Sequence, residues 1–255
     1  MEGVFEKKMT SNLDIFLSVV IPAYNEERRL PHTLVSTIDY LSRQSWNYEI
    51  IVVSDGSSDN TVNIVKQFKH GYENIIILDN EQNRGKGYAV RQGMIAARGH
   101  LKLFMDADNA TKINEIEKLL PFVPTHDVVI GSIGALGAHM TQRETIFRII
   151  AGKLGNLFIR LLLIPGIYDT QRGFKLFTKK AADEIFPRLV VSRWGFDVEA
   201  LALARASGFL IKEIPIIWSH QQESKVGMLS YANVLVDVLR IRWRLWQDLY
   251  NIKHL

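Results

Sequence analysis

A chain of 255 residues, 47% of them hydrophobic, can bury a large core and form a single α/β domain. It contains no Cys, which excludes a disulfide scaffold, thiolate zinc sites and a Cys nucleophile. The net charge of +4 is modest, and no apolar run approaches the roughly 20 residues of a membrane span, since 157–167 is broken by Arg160 and by Pro165-Gly166. Residues 1–15, with Glu2, Glu6, Lys7, Lys8 and Asp14, lack the apolar core of a signal peptide and read as a flexible lead-in. Five short runs rich in Ile and Val follow as expected strands: Phe16–Ile21, Tyr48–Val53, Asn74–Leu78, Leu101–Met105 and Asp127–Ile130. They are nearly continuously apolar, as strands buried on both faces are. Between them, Glu27–Leu41, Thr61–Phe68 and Tyr88–Ala97 carry apolar residues at helical spacing, for example Leu30, Leu34, Ile38 and Leu41. Such alternation predicts βαβ units and a mainly parallel sheet.

Open parallel sheets bind ligands beyond the carboxyl ends of their strands. Four expected strands end on chemistry-bearing residues: Pro22, Tyr24 and Glu26; Ser54, Asp55 and Gly56; Asn83, Gly85, Lys86 and Gly87; Asp106 and Asp108. Two carboxylates one residue apart at a strand's end make a seat for a cation that keeps other positions for phosphate oxygens. Read alone, Asp106-Ala107-Asp108 serves equally as the start of a helix over Lys112–Leu120. There is no Gly-x-Gly-x-x-Gly after the first strand, and Gly85-Lys86-Gly87 lacks P-loop spacing, which argues against a dinucleotide dehydrogenase and a P-loop NTPase.

The second half is less regular. Its basic residues cluster at Arg143, Arg148, Lys153 and Arg160, and again at Arg240, Arg242 and Arg244, an arrangement suited to phosphates or anionic headgroups. A helix is expected over about 229–249, with Tyr231, Leu235, Val238, Leu245 and Leu249 on one face and Trp243 and Trp246 at its flanks. Its amino-terminal half is expected to pack on the sheet, and its Arg- and Trp-rich end to meet a membrane surface.

In order and spacing, Ser18–Glu26 (Ser-Val-Val-Ile-Pro-Ala-Tyr-Asn-Glu), Val53–Asp59 (Val-Ser-Asp-Gly-Ser-Ser-Asp), Asn83–Gly87 and Asp106–Asp108 resemble the inverting family 2 glycosyltransferases. Asp169–Phe177 and Arg193–Glu199 look like the branch that charges polyprenyl phosphates, most similar to dolichyl-phosphate β-glucosyltransferases and next to dolichol-phosphate mannose synthases. The resemblance implies a GT-A fold in one domain over 16–255, with a nucleotide-sugar half at 16–132 and an acceptor half bearing amphipathic helices at 133–255. It implies Pro22, Tyr24, Glu26, Val53 and Asp55 around the nucleoside, Lys86 and Lys225 at the diphosphate, and Asp106, Ala107 and Asp108 at the metal and sugar. It further implies Mg²⁺ or Mn²⁺ held by Asp106, Asp108 and Asp197, with Asp169, Asp197 or Glu199 as reaction-centre groups. Arg143 and Arg148 are the candidates for gripping the acceptor phosphate.

The expected donor is UDP-glucose, with GDP-mannose as the alternative, and the expected acceptor is a polyprenyl or dolichyl phosphate. A lipid monophosphate is largely ionised at neutral pH and needs little help from a base. The expected setting is the cytoplasmic face of a membrane, through surface contact or a membrane-spanning partner; nucleic acid is not an expected partner. Two further readings stay open, a transferase acting on a glycan hydroxyl and a catalytically silent nucleotide-sugar-binding module. For Asp169, Asp197 and Glu199 the structural alternative is an ion pair, with Arg172 and Arg193 near in sequence. One departure stands out: relatives often show Gly-Ser-Arg after the fifth strand, where this chain has Gly131-Ser132-Ile133.

Overall fold

In the computed structural model, which describes residues 14–134, 139–140, 155–219 and 228–252, the apolar runs assemble into one seven-stranded sheet. The lead-in before residue 14 and the candidates Arg143, Arg148 and Lys225 lie outside the described residues. In chain order the sheet's first half is β1 (Leu17–Ala23), α1 (Leu30–Leu41), β2 (Tyr48–Asp55), α2 (Thr61–Gly71), β3 (Ile75–Asn80), α3 (Lys86–Ala96) and β4 (Leu101–Met105). A 3₁₀ turn at Ile113–Glu115, the single-turn α4 (Ile116–Leu119) and a second 3₁₀ turn lead to β5 (Val128–Ser132). After β6 (His139–Met140) and α5 (155–162) come β7 (Phe174–Thr178), α6 (Lys179–Ile185), α7 (Phe196–Ala206), β8 (Ile211–Pro215), β9 (Ile217–Trp218) and α8 (Met228–Trp246).

The spatial order is β3-β2-β1-β4-β7-β5-β8, parallel except that β7 runs antiparallel between β4 and β5. All five expected strands are present, and the mainly parallel α/β architecture is borne out. β1, β4 and β5 are buried at every position because helices cover both faces, whereas β3, at the edge, is half-buried over most of its length. Each Val, Leu or Ile fully withdrawn from water in this way contributes roughly 1.5–3 kcal/mol. On α1 the buried set Leu30, Thr33, Leu34, Thr37, Ile38 and Leu41 follows the helical period, while Gly93 of α3 lies directly against Val20 and Val53.

Four strands were not expected, two of which, β6 and β9, pair in a separate two-stranded sheet. β7 and β8 belong to the irregular second half yet complete the seven-stranded sheet, so it is continuous across the boundary at 132/133. Among the described residues α8 packs chiefly on α7, burying Val234, Val238 and Ile241 with Leu245 packed beside them. This rotates the expected apolar face, leaving Leu235 and Leu249 exposed. No helix among the described residues is long and apolar enough to cross a membrane.

Candidate functional site

The carboxyl ends of β1, β2 and β4 open side by side, since Pro22 is level with Val53 and Val20 with Phe104. Asp106 and Asp108 leave the end of β4, and Asn109 at φ 56° turns the chain away. Three contacts hold this loop. Thr33 Oγ1 of α1 donates to the Ala107 carbonyl at 2.6 Å, the Ala110 amide donates to Asp108 Oδ1 at 3.0 Å, and the Asp106 amide donates to the Gly173 carbonyl at 3.1 Å. Gly173, just before β7, is so close to the Asp106 carboxylate that a Cβ there would overlap it.

Lys86, the first residue of α3, places Nζ 2.5 Å from Asp106 Oδ1. The same ammonium lies 5.4 Å from the Trp194 ring centroid and 6.0 Å from that of Phe196. Burial draws its pKa down, but the charges of Asp106, Asp197 and Asp108 outweigh burial and hold it above the ordinary lysine value. Burial, then the neighbouring Asp106 charge, pushes the Asp108 carboxyl up, with Lys86 and Arg29 opposing. Two carboxylates are thus crowded around one ammonium, and Asn109 Oδ1, next in the chain, is buried with no hydrogen-bond partner.

These hard oxygens fit a divalent cation that completes its coordination on a substrate. No group of three or more His, Cys, Asp or Glu able to hold a metal occurs among the described residues. Asp197 in particular is engaged elsewhere. Its Oδ1 receives Lys175 Nζ at 2.6 Å, both side chains are buried, and Lys175 also donates to the Arg172 carbonyl. Burial raises the Asp197 pKa, and the Lys175 and Lys86 charges oppose it. The residue expected as a third metal ligand thus has one carboxylate oxygen committed to Lys175. It is the counter-ion of Lys175 and a nearby negative charge for Lys86.

Other expected residues are placed as follows. Glu26 forms a two-pronged pair with Arg29, at 2.7 and 2.6 Å, and its amide donates to Thr61 Oγ1. Together with Asn25, Glu27, Arg28 and Asp59 these two line a cleft of about 300 Å³, and the Arg29 charge is felt at Asp108. Tyr24 is exposed at the end of β1, and Pro22 lies within it. The Asp55 carboxylate is buried and accepts the Arg84 and Gly85 amides at 2.9 and 2.8 Å, so it anchors the Lys86 loop before it can read a base. The Val53 side chain is fully buried and faces Gly93 of α3, which leaves only its backbone for a nucleoside.

Asp169 accepts the Ile133 amide and Arg172 Nε, both at 3.1 Å, and Arg172 in turn lies 4.5 Å over the Trp218 ring. The ion-pair alternative thus describes Asp169, and the residue that departs from the family pattern, Ile133, is tied to it through its backbone. Glu199 is fully buried, accepting the Val190 and Val191 amides and the Tyr250 hydroxyl, which corrects its expected acid–base role: its carboxylate has no open face for substrate. Sequence reasoning missed Lys175. The signal available was a Lys between Phe174 and Leu176, since a cation inside an apolar strand demands a buried partner.

A model described as "Glycosyl transferase family 2" matches residues 18–186. The chain is 38% identical over 254 residues to a dolichyl-phosphate beta-glucosyltransferase of Dictyostelium discoideum, spanning 94% of this chain and 78% of that one. It is 41% identical over 262 residues to the protein of the same name from Saccharomyces cerevisiae, spanning 93% and 77%. Among solved structures, glucosyl-3-phosphoglycerate synthase of Mycobacterium tuberculosis in complex with Mg²⁺ and uridine diphosphate superposes with a TM-score of 0.67 at 15% identity, covering 91% of this chain and 79% of that one. At that identity the likeness concerns the fold, which is GT-A.

Proposed function

The chain belongs to glycosyl transferase family 2, and from that premise we propose that it transfers glucose from UDP-glucose to a dolichyl or polyprenyl phosphate, assisted by Mg²⁺ or Mn²⁺. The observation that carries this reading is the Asp106–Lys86 pair with Asp108 beside it at the carboxyl end of β4. It offers one diphosphate both a cation seat and a fixed ammonium. The names of the relatives support the sugar and the acceptor.

A divalent ion held by Asp106 and Asp108 would neutralise charge on the departing diphosphate. Lys86, already beside Asp106, would donate to the same phosphates, and its aromatic neighbours Trp194 and Phe196 exclude water from it. The cleft bounded by Glu26 and Arg29 would take the nucleoside, with Tyr24 against it and Asp55 accepting from the base through a remaining lone pair. Asp169 would act by holding Arg172 and the Ile133 backbone in place on the acceptor side. The acceptor phosphate, already ionised, needs no strong base.

The acceptor's lipid chain calls for a membrane surface, and α8 supports one. Beyond its buried stripe it exposes Leu235, Leu239, Trp243 and Trp246, the last 70% exposed, flanked by the exposed Arg240 and Arg242. Trp with Arg on an outward helix face suits the boundary between acyl chains and anionic headgroups. The test is product formation. Purified protein with Mn²⁺, UDP-glucose and dolichyl phosphate should yield a glucolipid; if no nucleotide sugar, GDP-mannose included, gives product on that acceptor, the reading fails.

A further inference from the structure

Glu199 and Tyr250 are both fastened to the segment that covers Lys86. The Glu199 carboxylate accepts the Val190 amide at 3.1 Å and the Val191 amide at 2.8 Å, and takes the Tyr250 hydroxyl at 2.6 Å. Tyr250 is itself buried, and its carbonyl accepts Arg188 Nε at 3.2 Å. On α8, Asp237 stands so close to Gly195 that a Cβ there would lie 2.7 Å from Asp237 Oδ2. The carboxyl-terminal part of the chain therefore meets residues 188–195 directly at Arg188 and Gly195, and reaches Val190 and Val191 through Glu199.

This segment closes on the turn before α3. The Tyr88 amide donates to the Ser192 carbonyl at 3.1 Å, and a Cβ at Gly87 would lie 2.6 Å from the Val191 carbonyl. Gly85, at φ 104°, leaves no room for a side chain against Ser192. The same segment ends in Trp194 and Phe196, whose rings flank Lys86 Nζ. A rigid path thus runs from Tyr250 through Glu199 and residues 190–194 to the ammonium beside Asp106.

We propose that Glu199 is a positioning residue and Tyr250 its latch: together they fix the 190–196 segment, and through it the placing of Lys86 for a nucleoside diphosphate. This rests on the donor-site reading above. Loosening the latch lets Trp194 and the Gly85–Gly87 turn drift, so that Lys86 meets the diphosphate less often, while groups on the acceptor side are untouched.

The experiment titrates UDP in the presence of Mn²⁺ into full-length wild type, Tyr250→Phe, Glu199→Gln, Lys86→Ala and the Lys86→Ala/Tyr250→Phe double variant, alongside steady-state kinetics. Tyr250→Phe, which keeps the ring in the core, should weaken UDP binding and raise the donor KM by about tenfold, the size of one buried hydrogen bond. The acceptor KM should stay within about twofold, and in the Lys86→Ala background Tyr250→Phe should change UDP binding no further. Should Glu199→Gln not fold, Tyr250→Phe and its combination with Lys86→Ala carry the test alone. Wild type that binds UDP together with a Tyr250→Phe protein that binds it equally well overturns the latch, as does a loss of equal size with and without Lys86. Wild type that binds no UDP overturns the donor-site reading itself, and the latch with it.

Discussion

Removing Asp197 should unfold before it inactivates, because Lys175 would be left as a buried ammonium with the Arg172 carbonyl and the face of Phe104 as its remaining partners. Breaking a buried ion pair by deleting one partner costs roughly 3–5 kcal/mol, since the stranded charge keeps its desolvation penalty without the attraction that offset it. Lys175 retains one acceptor, so the lower end applies, about 3 kcal/mol for Asp197→Ala. For a domain of this size that corresponds to a fall in Tm of roughly 6–12 °C. Asp197→Asn, which still presents an oxygen to Lys175, should lose only about 1–2 kcal/mol. Replacing both, Lys175→Met with Asp197→Leu, exchanges the pair for apolar volume and should come back to within about 1 kcal/mol of wild type. Urea unfolding followed by circular dichroism gives all three values. If Asp197→Ala is as stable as wild type while its turnover collapses, or if the double variant is no better than the single one, Asp197 is not primarily the counter-ion of Lys175.

Asp108→Asn should lower turnover by at least about 100-fold, as loss of one group that holds developing charge does. Its stability should stay within about 1 kcal/mol of wild type, because burial and the Asp106 charge already disfavour the anion. Trp243→Ala combined with Trp246→Ala should cut co-sedimentation with anionic vesicles by roughly tenfold or more, given the apolar area each ring offers, and half-molar salt should weaken the wild type by screening Arg240 and Arg242. The Glu199 pKa is raised above its ordinary value of 4.5, chiefly by burial, with the Tyr250 and backbone hydrogen bonds opposing. The folded chain therefore keeps a proton that the unfolded chain has released. Stability from this group is complete below about pH 4.5 and falls as pH rises through its folded value, by up to about 1.4 kcal/mol per unit. Since Asp108 and Asp197 slope the same way, the readout is the difference. Urea midpoints across pH 4.5–7 should fall less steeply for Glu199→Gln than for wild type.

The first five strands were legible because each is an unbroken apolar run, and a strand covered on both faces needs nothing else to declare itself. Once they were placed, the carboxyl-end rule put Lys86, Asp106 and Asp108 at one edge without knowledge of a single contact. β7 escaped because Lys175 interrupts a five-residue run, and a lone cation looks like a surface residue until its partner is known. That partner, Asp197, is 22 residues away; Tyr250 is 51 residues from Glu199, and Ile133 is 36 from Asp169. Pairings of that separation leave no periodic trace.

α8 shows the same division from another side. Its sequence carries apolar residues in two stripes, and period alone cannot rank them; packing on α7 buried Val234, Val238 and Ile241 and turned Leu235, Trp243 and Trp246 outward. The chain's order of residues determined the elements, the sheet's first half and the location of the carboxylates, because those depend on short-range pattern and on which end of a strand a loop leaves. Which carboxylate is left to meet a cation, and which is consumed by an ammonium, an amide or a phenol, was decided by tertiary structure alone. A buried charge is defined by its partner, and the partner arrives only when the chain has folded.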